Sequence, residues 1–229
     1  MIPLKDTIRS RSFPLITWVI IILNGLVFYY ELRLSPSQLN TFIEQYAIVP
    51  ARIQLFNPLT WGTIFTSMFI HVGWVHILSN LWVLFIFGDN VEDRMGSFRY
   101  LIFYLLSGLA AGFMQAFVDP TSTVPSIGAS GAIAGVLGAY FSFFPTAKIL
   151  TLIPVFIIPW FIQVSAWIFL AFWFVTQLVP GLLSLGSQSA GGIAWWAHVG
   201  GFIFGLVLSR LFAYRKKPST FYPDQYWPW

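Results

Sequence analysis

The chain of 229 residues carries 57% hydrophobic side chains against 9% charged ones, with 24 Phe and 11 Trp, which excludes an ordinary water-soluble domain and marks an integral membrane protein. A net charge of +4 does not point to nucleic acid here, because the basic residues sort by membrane side. With zero cysteines, a disulfide framework, thiol catalysis and thiolate metal sites are excluded.

The opening segment MIPLKDTIRSRSF is basic, but the apolar run behind it is too long for a secretory signal and has no small-residue cleavage site, so the first helix is expected to stay. Apolar runs of the roughly 17 to 25 residues that span a bilayer are read at 14–33, 74–90, 99–118, 129–144, 158–179 and 193–213. Lys5, Arg9, Arg11, Arg94, Arg99, Lys148, Arg210, Arg215, Lys216 and Lys217 fall on one side of these spans and only Arg33 and Arg52 on the other, which predicts that both termini are cytoplasmic. The loop 34–70, with its aromatic and aliphatic residues in FIEQYAIVPARIQLF, is expected to be ordered and to lie partly in the outer interface. The tail YRKKPSTFYPDQYWPW is expected to anchor at the inner interface. The pattern predicts an all-α membrane protein, a six-transmembrane-helix bundle forming one domain over 1–229, with short tails at 1–12 and 214–229. No internal repeat of the transporter kind is visible.

Polar residues at membrane depth are the informative ones, because an unpaired polar group in hydrocarbon costs several kcal/mol. His71 and His76 open the second span in HVGWVHILSNLW, with Asn80 one turn below His76, and His198 opens the sixth in WWAHVGGFIFG. Ser130 opens the fourth in PSIGASGAIAGVLGAY, and all of these lie on the outer side. Gly131 and Gly135 on the fourth span and Gly201 and Gly205 on the sixth are small-xxx-small spacings that allow close helix approach. His198, Gly201 and Gly205 share one stripe. If the two small faces meet, Ser130 and His198 come within hydrogen-bond distance; on its own the glycine pattern is better explained by helix packing.

The fourth span is sixteen residues from Ala129 to Phe144, or about 24 Å against a hydrocarbon thickness of roughly 30 Å, so Ser130 should start below the outer surface with water above it. A serine at a helix start is ordinarily an N-cap. It is also where free backbone N–H groups can hold a developing anion. The pairing with His198 suggests Ser130 as nucleophile and His198 as general base, a dyad because no aspartate lies at that depth. His76 and Asn80, at i and i+4 on one face, fit an oxyanion hole together with the Ser130 N–H, or else an interhelical hydrogen-bonded pair. His71 falls on a different face and is read as structural. Zinc and aspartyl proteolysis lack their ligands or facing carboxylates.

These motifs resemble the rhomboid family of intramembrane serine proteases. GASG matches GxSG, HVGWVHILSN the histidine pair and asparagine, and AHVGGFIFG the pattern AHxxGxxxG, in the family's order over the whole run of spans. The resemblance implies a protease that cuts in or near transmembrane segments of membrane-protein substrates, without cofactor or metal, with Ser130 and His198 catalytic, His76 and Asn80 as oxyanion donors, and Glu92 and Arg94 as a structural acid and base. A prokaryotic plasma (inner) membrane is the expected setting. An idle relative that binds client transmembrane helices is the alternative. Two departures stand out: Trp61 is followed by Gly62 where many members have Trp-Arg, with one extra residue before His71, and Ala134 stands where some members place a tyrosine against the histidine ring. His198 is then expected to be oriented by other groups, Trp195 or Trp196.

Overall fold

A computed structural model describes residues 1–54, 57–155, 158–185 and 193–214. The chain begins with strand β1 (Ile2–Asp6), followed by α1 (Leu15–Glu31), α2 (Pro36–Tyr46), α3 (Pro58–Ser67), α4 (Trp74–Met95), α5 (Ser97–Val118) and α6 (Ser130–Phe143). Strands β2 (Lys148–Val155) and β3 (Ile158–Ser165) lead to α7 (Ala166–Ser184) and α8 (Trp195–Phe212). Four helices, α4, α5, α7 and α8, are long and apolar enough to cross a membrane, and α1 and α6 are shorter apolar helices.

Helix α6 is the hub. Its residues Gly131 to Tyr140 are all buried, so it is walled by other helices rather than by lipid, and α8 is its main neighbour. Glycines set that contact: a Cβ built at Gly201 or Gly205 would overlap the carbonyl oxygen of Gly131 or Gly135, and one at Gly138 the carbonyl of Phe202. The expected meeting of the two small faces is therefore found, with backbones in direct contact. At fourteen residues, or about 21 Å, α6 is also shorter than a hydrocarbon core of roughly 30 Å.

The expectation of an all-α fold is corrected by an antiparallel sheet of order β1-β2-β3. The fifth apolar run, expected as a helix over 158–179, begins as strand; its helix starts at Ala166 and continues to Ser184. The physical reason lies in KILTLIPV and IPWFIQVS, rich in β-branched and aromatic residues and interrupted by Pro154 and Pro159, which favour strand and disfavour helix. A short apolar run does not distinguish the two by period alone. Nor is 1–12 a free tail: β1 pairs with β2, and buried Asp6 accepts hydrogen bonds from Tyr140 Oη at 2.5 Å and Asn90 Nδ2 at 2.8 Å. The predicted C-terminal anchor falls, beyond Tyr214, outside the described residues.

Among its described residues the long first loop contains α2 and α3. Helix α2 starts in a reciprocal capping box, with the Ser35 N–H donating to Gln38 Oε1 and the Gln38 N–H to Ser35 Oγ. After α2 the chain turns inward and buries Ala47, Ile48 and Val49, where Ile48 and Ser126 exchange backbone hydrogen bonds. Trp61 stacks on Phe113 of α5, ring centroids 5.1 Å apart, and donates its Nε1–H to the Gln54 carbonyl. The loop thus grips the turn that precedes Ser130. Below, α1 has no cap of its own. Its Ile16 and Thr17 N–H groups donate to the buried Glu92 carboxylate at 2.9 and 2.8 Å, joined by the hydroxyls of Thr17 and Ser97. Glu92 is thereby the structural acid the resemblance implies, fixing α1 and α5 to α4. Arg94 lies over the Phe143 ring, 5.9 Å from its centroid.

The α6–α8 contact predicts the outcome of substitution. Gly205→Val should push the helices apart and lower the melting temperature in detergent, costing about 1 to 3 kcal/mol. Gly25→Ala, at a glycine with open space around it, should leave melting unchanged or raise it slightly.

Candidate active site

Ser130 is the first residue of α6, and no side chain caps that helix start. Its hydroxyl is engaged elsewhere: Ser130 Oγ lies 2.8 Å from His198 Nε2. The N-cap explanation for this serine is therefore set aside. Gly201 and Gly205 bring α8 against α6 one and two turns below, and His198 is carried on the same stripe. The backbone contact of the two helices thus places the imidazole over the serine.

The second nitrogen of the imidazole is also held, by a residue that sequence reasoning missed. His198 Nδ1 lies 2.8 Å from Gln177 Oε1 on α7. The expected orienting groups, Trp195 and Trp196, are replaced in that role as hydrogen-bond partners: Trp195 meets the ring edge-on at 6.4 Å between centroids and Trp173 of α7 lies at 6.2 Å. Trp196 makes no such ring contact, and its buried Nε1 has no hydrogen-bond partner among the described residues. Ala134, fully buried, packs under Gly201. The signal for Gln177 was present as a polar residue in the fifth apolar run, but its facing could not be read while that helix was placed eight residues too early.

Opposite the dyad, His76 and Asn80 face Gly128, two residues before Ser130. A Cβ at Gly128 would come within 2.6 Å of His76 Nε2 and 3.8 Å of Asn80 Nδ2. Glycine is required there twice over, since its φ is +113°, a conformation that side chains rarely adopt. Asn80 Nδ2 donates to the His76 carbonyl at 3.1 Å, which leaves its second N–H available, and the His76 ring has no hydrogen-bond partner among the described residues. A cavity of about 30 Å³ borders Ser130 among Ser67, Ser126, Gly128 and Ala197, room for a water molecule. Among the described residues no group of three or more His, Asp or Glu side chains is arranged to hold a metal ion.

His71 has the structural place expected of it. Its backbone N–H donates to the Glu31 carboxylate at 3.1 and 3.2 Å. Its Nδ1 lies 3.3 Å from the Phe69 carbonyl, so the proton sits there, and Nε2 accepts the Ala129 N–H at 3.4 Å. That arrangement exists only for neutral imidazole, and burial, reinforced by the charge of His76, pushes its pKa down to about 4. His71 thereby fixes the backbone one residue before the serine. Ser126 is tied through its backbone to Ile48.

Comparison with known proteins adds kinship to this geometry. A family model described as Rhomboid domain matches residues 58–215. The chain belongs to the rhomboid family. It is 35% identical over 136 residues to Rhomboid protease GluP of Bacillus subtilis, covering 59% of this chain and 26% of that protein. It is 27% identical over 191 residues to RHOMBOID-like protein 1 of Arabidopsis thaliana, covering 82% and 43%. It is 28% identical over 180 residues to the human mitochondrial presenilin-associated rhomboid-like protein, covering 75% and 42%. The aligned segments span less than half the length of these relatives. Membership and the apolar helices together make the chain a multi-pass integral membrane protein.

The neutral state of His71 has a pH consequence. Its folded pKa, about 4, lies below the unfolded value of about 6.5, so the unfolded chain binds the extra proton first. Its contribution to stability is intact above about pH 6.5 and falls as pH drops toward 4, by up to about 3 kcal/mol. The difference in thermal stability between wild type and His71→Gln in detergent should carry this slope between pH 7 and 4, since the other buried titrating groups act on both proteins alike.

Proposed function

We propose that this rhomboid-family chain is an intramembrane serine endopeptidase that cuts peptide bonds in or near transmembrane segments of membrane-protein substrates. The observation that carries the reading is the 2.8 Å contact of Ser130 Oγ with His198 Nε2 at an otherwise uncapped helix start. His198 Nε2 takes the hydroxyl proton as Oγ attacks the scissile carbonyl, then delivers it to the leaving amine. The charge on the former carbonyl oxygen is received by the Ser130 N–H, the Asn80 amide and His76 Nε2, groups already aimed at the Gly128–Ser130 turn. Water then hydrolyses the acyl-serine with His198 again as base. No cofactor or metal takes part.

The membrane arrangement proposed with it has six spans, α1 and α4 to α8, with both termini cytoplasmic and the whole of 1–229 acting as one domain. The short α6 then recesses Ser130 below the outer surface. The relatives come from a bacterium and from plant and animal organelles, so kinship alone does not select the prokaryotic plasma membrane expected from the sequence. Several relatives are named only as rhomboid-like, which keeps a second reading in play, a catalytically idle binder of client helices. A binder has no need of the serine–histidine contact.

A serine-directed fluorophosphonate separates the two. Wild-type protein should label and Ser130→Ala should not, with unchanged melting; labelling that persists in the variant would move the nucleophile elsewhere. Ser130→Ala, His198→Ala and the double variant should be about equally inactive toward a transmembrane substrate, because groups that act as a unit lose their effects non-additively.

The oxyanion role of His76 and Asn80 makes a separate forecast. Each alanine variant should slow turnover by about 10² to 10³, or roughly 2.7 to 4 kcal/mol, with little change in substrate affinity. Variants that turn over normally but melt early would make the pair purely structural.

A further inference from the structure

Gln177 sits on α7, one turn beyond Trp173 and before Pro180, in a helix that contributes no residue to the nucleophile, the base or the oxyanion donors. It is half-buried and its Oε1 lies 2.8 Å from His198 Nδ1. The amide orientation is set by its other end: Nε2 donates to the Thr176 hydroxyl at 3.0 Å and to the Trp173 carbonyl at 3.4 Å, and the Thr176 hydroxyl itself donates to that carbonyl at 2.6 Å. A flipped amide would set its oxygen against the Trp173 carbonyl and its NH₂ against the imidazole. The acceptor therefore faces His198.

An acceptor at Nδ1 keeps the imidazole proton on that nitrogen and leaves Nε2 with a lone pair aimed at Ser130 Oγ. The opposite tautomer would place N–H against the hydroxyl and could not take its proton. We propose that Gln177 is a positioning residue for this site, holding His198 in the tautomer and rotamer that accept the serine proton, so that a neutral amide stands where a carboxylate would complete a triad. The inference rests on the serine–histidine reading above. It gives Trp173 and Trp195 the lesser part of bounding the ring, and it explains how the histidine is held although Ala134 offers no ring to pack against it.

Because the amide is uncharged, it orients the base without stabilising imidazolium as a carboxylate would. That difference supplies the test. Gln177→Leu keeps the volume but removes the acceptor, and should lower kcat by about 10- to 100-fold, the loss seen when the partner that orients a metal-bound histidine is removed, with KM unchanged. Gln177→Glu restores an acceptor and adds charge; it should recover much of kcat and move the acid limb of the pH–rate profile to higher pH. Among the described residues His76 on α4 is the other titratable group whose charge reaches His198; it is present in all these variants and cannot cause the movement.

A merely structural Gln177 would lower melting temperature without shifting that limb. If Gln177→Leu does not fold, the Gln177→Glu profile decides alone. Wild-type kcat in folded Gln177→Leu, or an unmoved limb in Gln177→Glu, would overturn the proposal. Fluorophosphonate labelling of wild type that depends on Ser130 accompanies these assays: if it is present, such a result removes Gln177 alone, and if it is absent the protease reading itself has failed.

Discussion

The approach of α6 to α8 is the constraint on which the rest depends. Here a serine and a histidine meet at 2.8 Å across two helices whose backbones nearly touch, carbonyls of one lying where the side chains of the other would be. In lipid there is no hydrophobic drive to press helices together, so close van der Waals contact must supply the attraction. The same glycines that create the contact also set its register. The catalytic geometry proposed for the dyad is thus a by-product of packing several residues away.

Around that pair the other elements act as braces. Glu92 of α4 collects the free N–H groups of α1 and the Ser97 hydroxyl of α5, while Asp6 ties the sheet to α4 and α6. On the opposite end the first loop grips the turn before Ser130 through Ile48, and His71 grips it through Ala129. The positive-φ Gly128 and the uncapped start of α6 are held by neighbours on several sides. Several buried polar atoms nonetheless lack a hydrogen-bond partner among the described residues, Tyr104 Oη, Ser107 Oγ and Trp196 Nε1 among them.

The sequence disclosed the serine, the three histidines and the asparagine because each is an exception to its surroundings: a polar residue in an apolar run or a small residue in a bulky one. The meeting of Gly131 with Gly201 could be foreseen from spacing alone. The sheet could not, since KILTLIPV and IPWFIQVS are as apolar as a membrane helix, and their strand character appears only in their β-branched residues and prolines. Gln177 escaped for a geometric reason. Its value depends on which face of α7 it occupies, and that face follows from a helix start at Ala166 that hydropathy places within β3. Glu92 was visible as an acid near a span end, whereas its partners, backbone N–H groups of another helix, leave no mark in the sequence.

The bracing of α1 has a temporal side. At Thr17 its hydrogen-bond acceptor lies 75 residues later in the chain, and ribosomes deliver about 5 to 20 residues each second. Helix α1 therefore waits on the order of 4 to 15 seconds before the carboxylate that finishes its end has been synthesised, and β1 waits longer still for β2. Until then α1 can reside in the bilayer but not dock. An early helix is thus locked in place late, and any factor that shelters an unfinished membrane protein would meet α1 with its amino end still open.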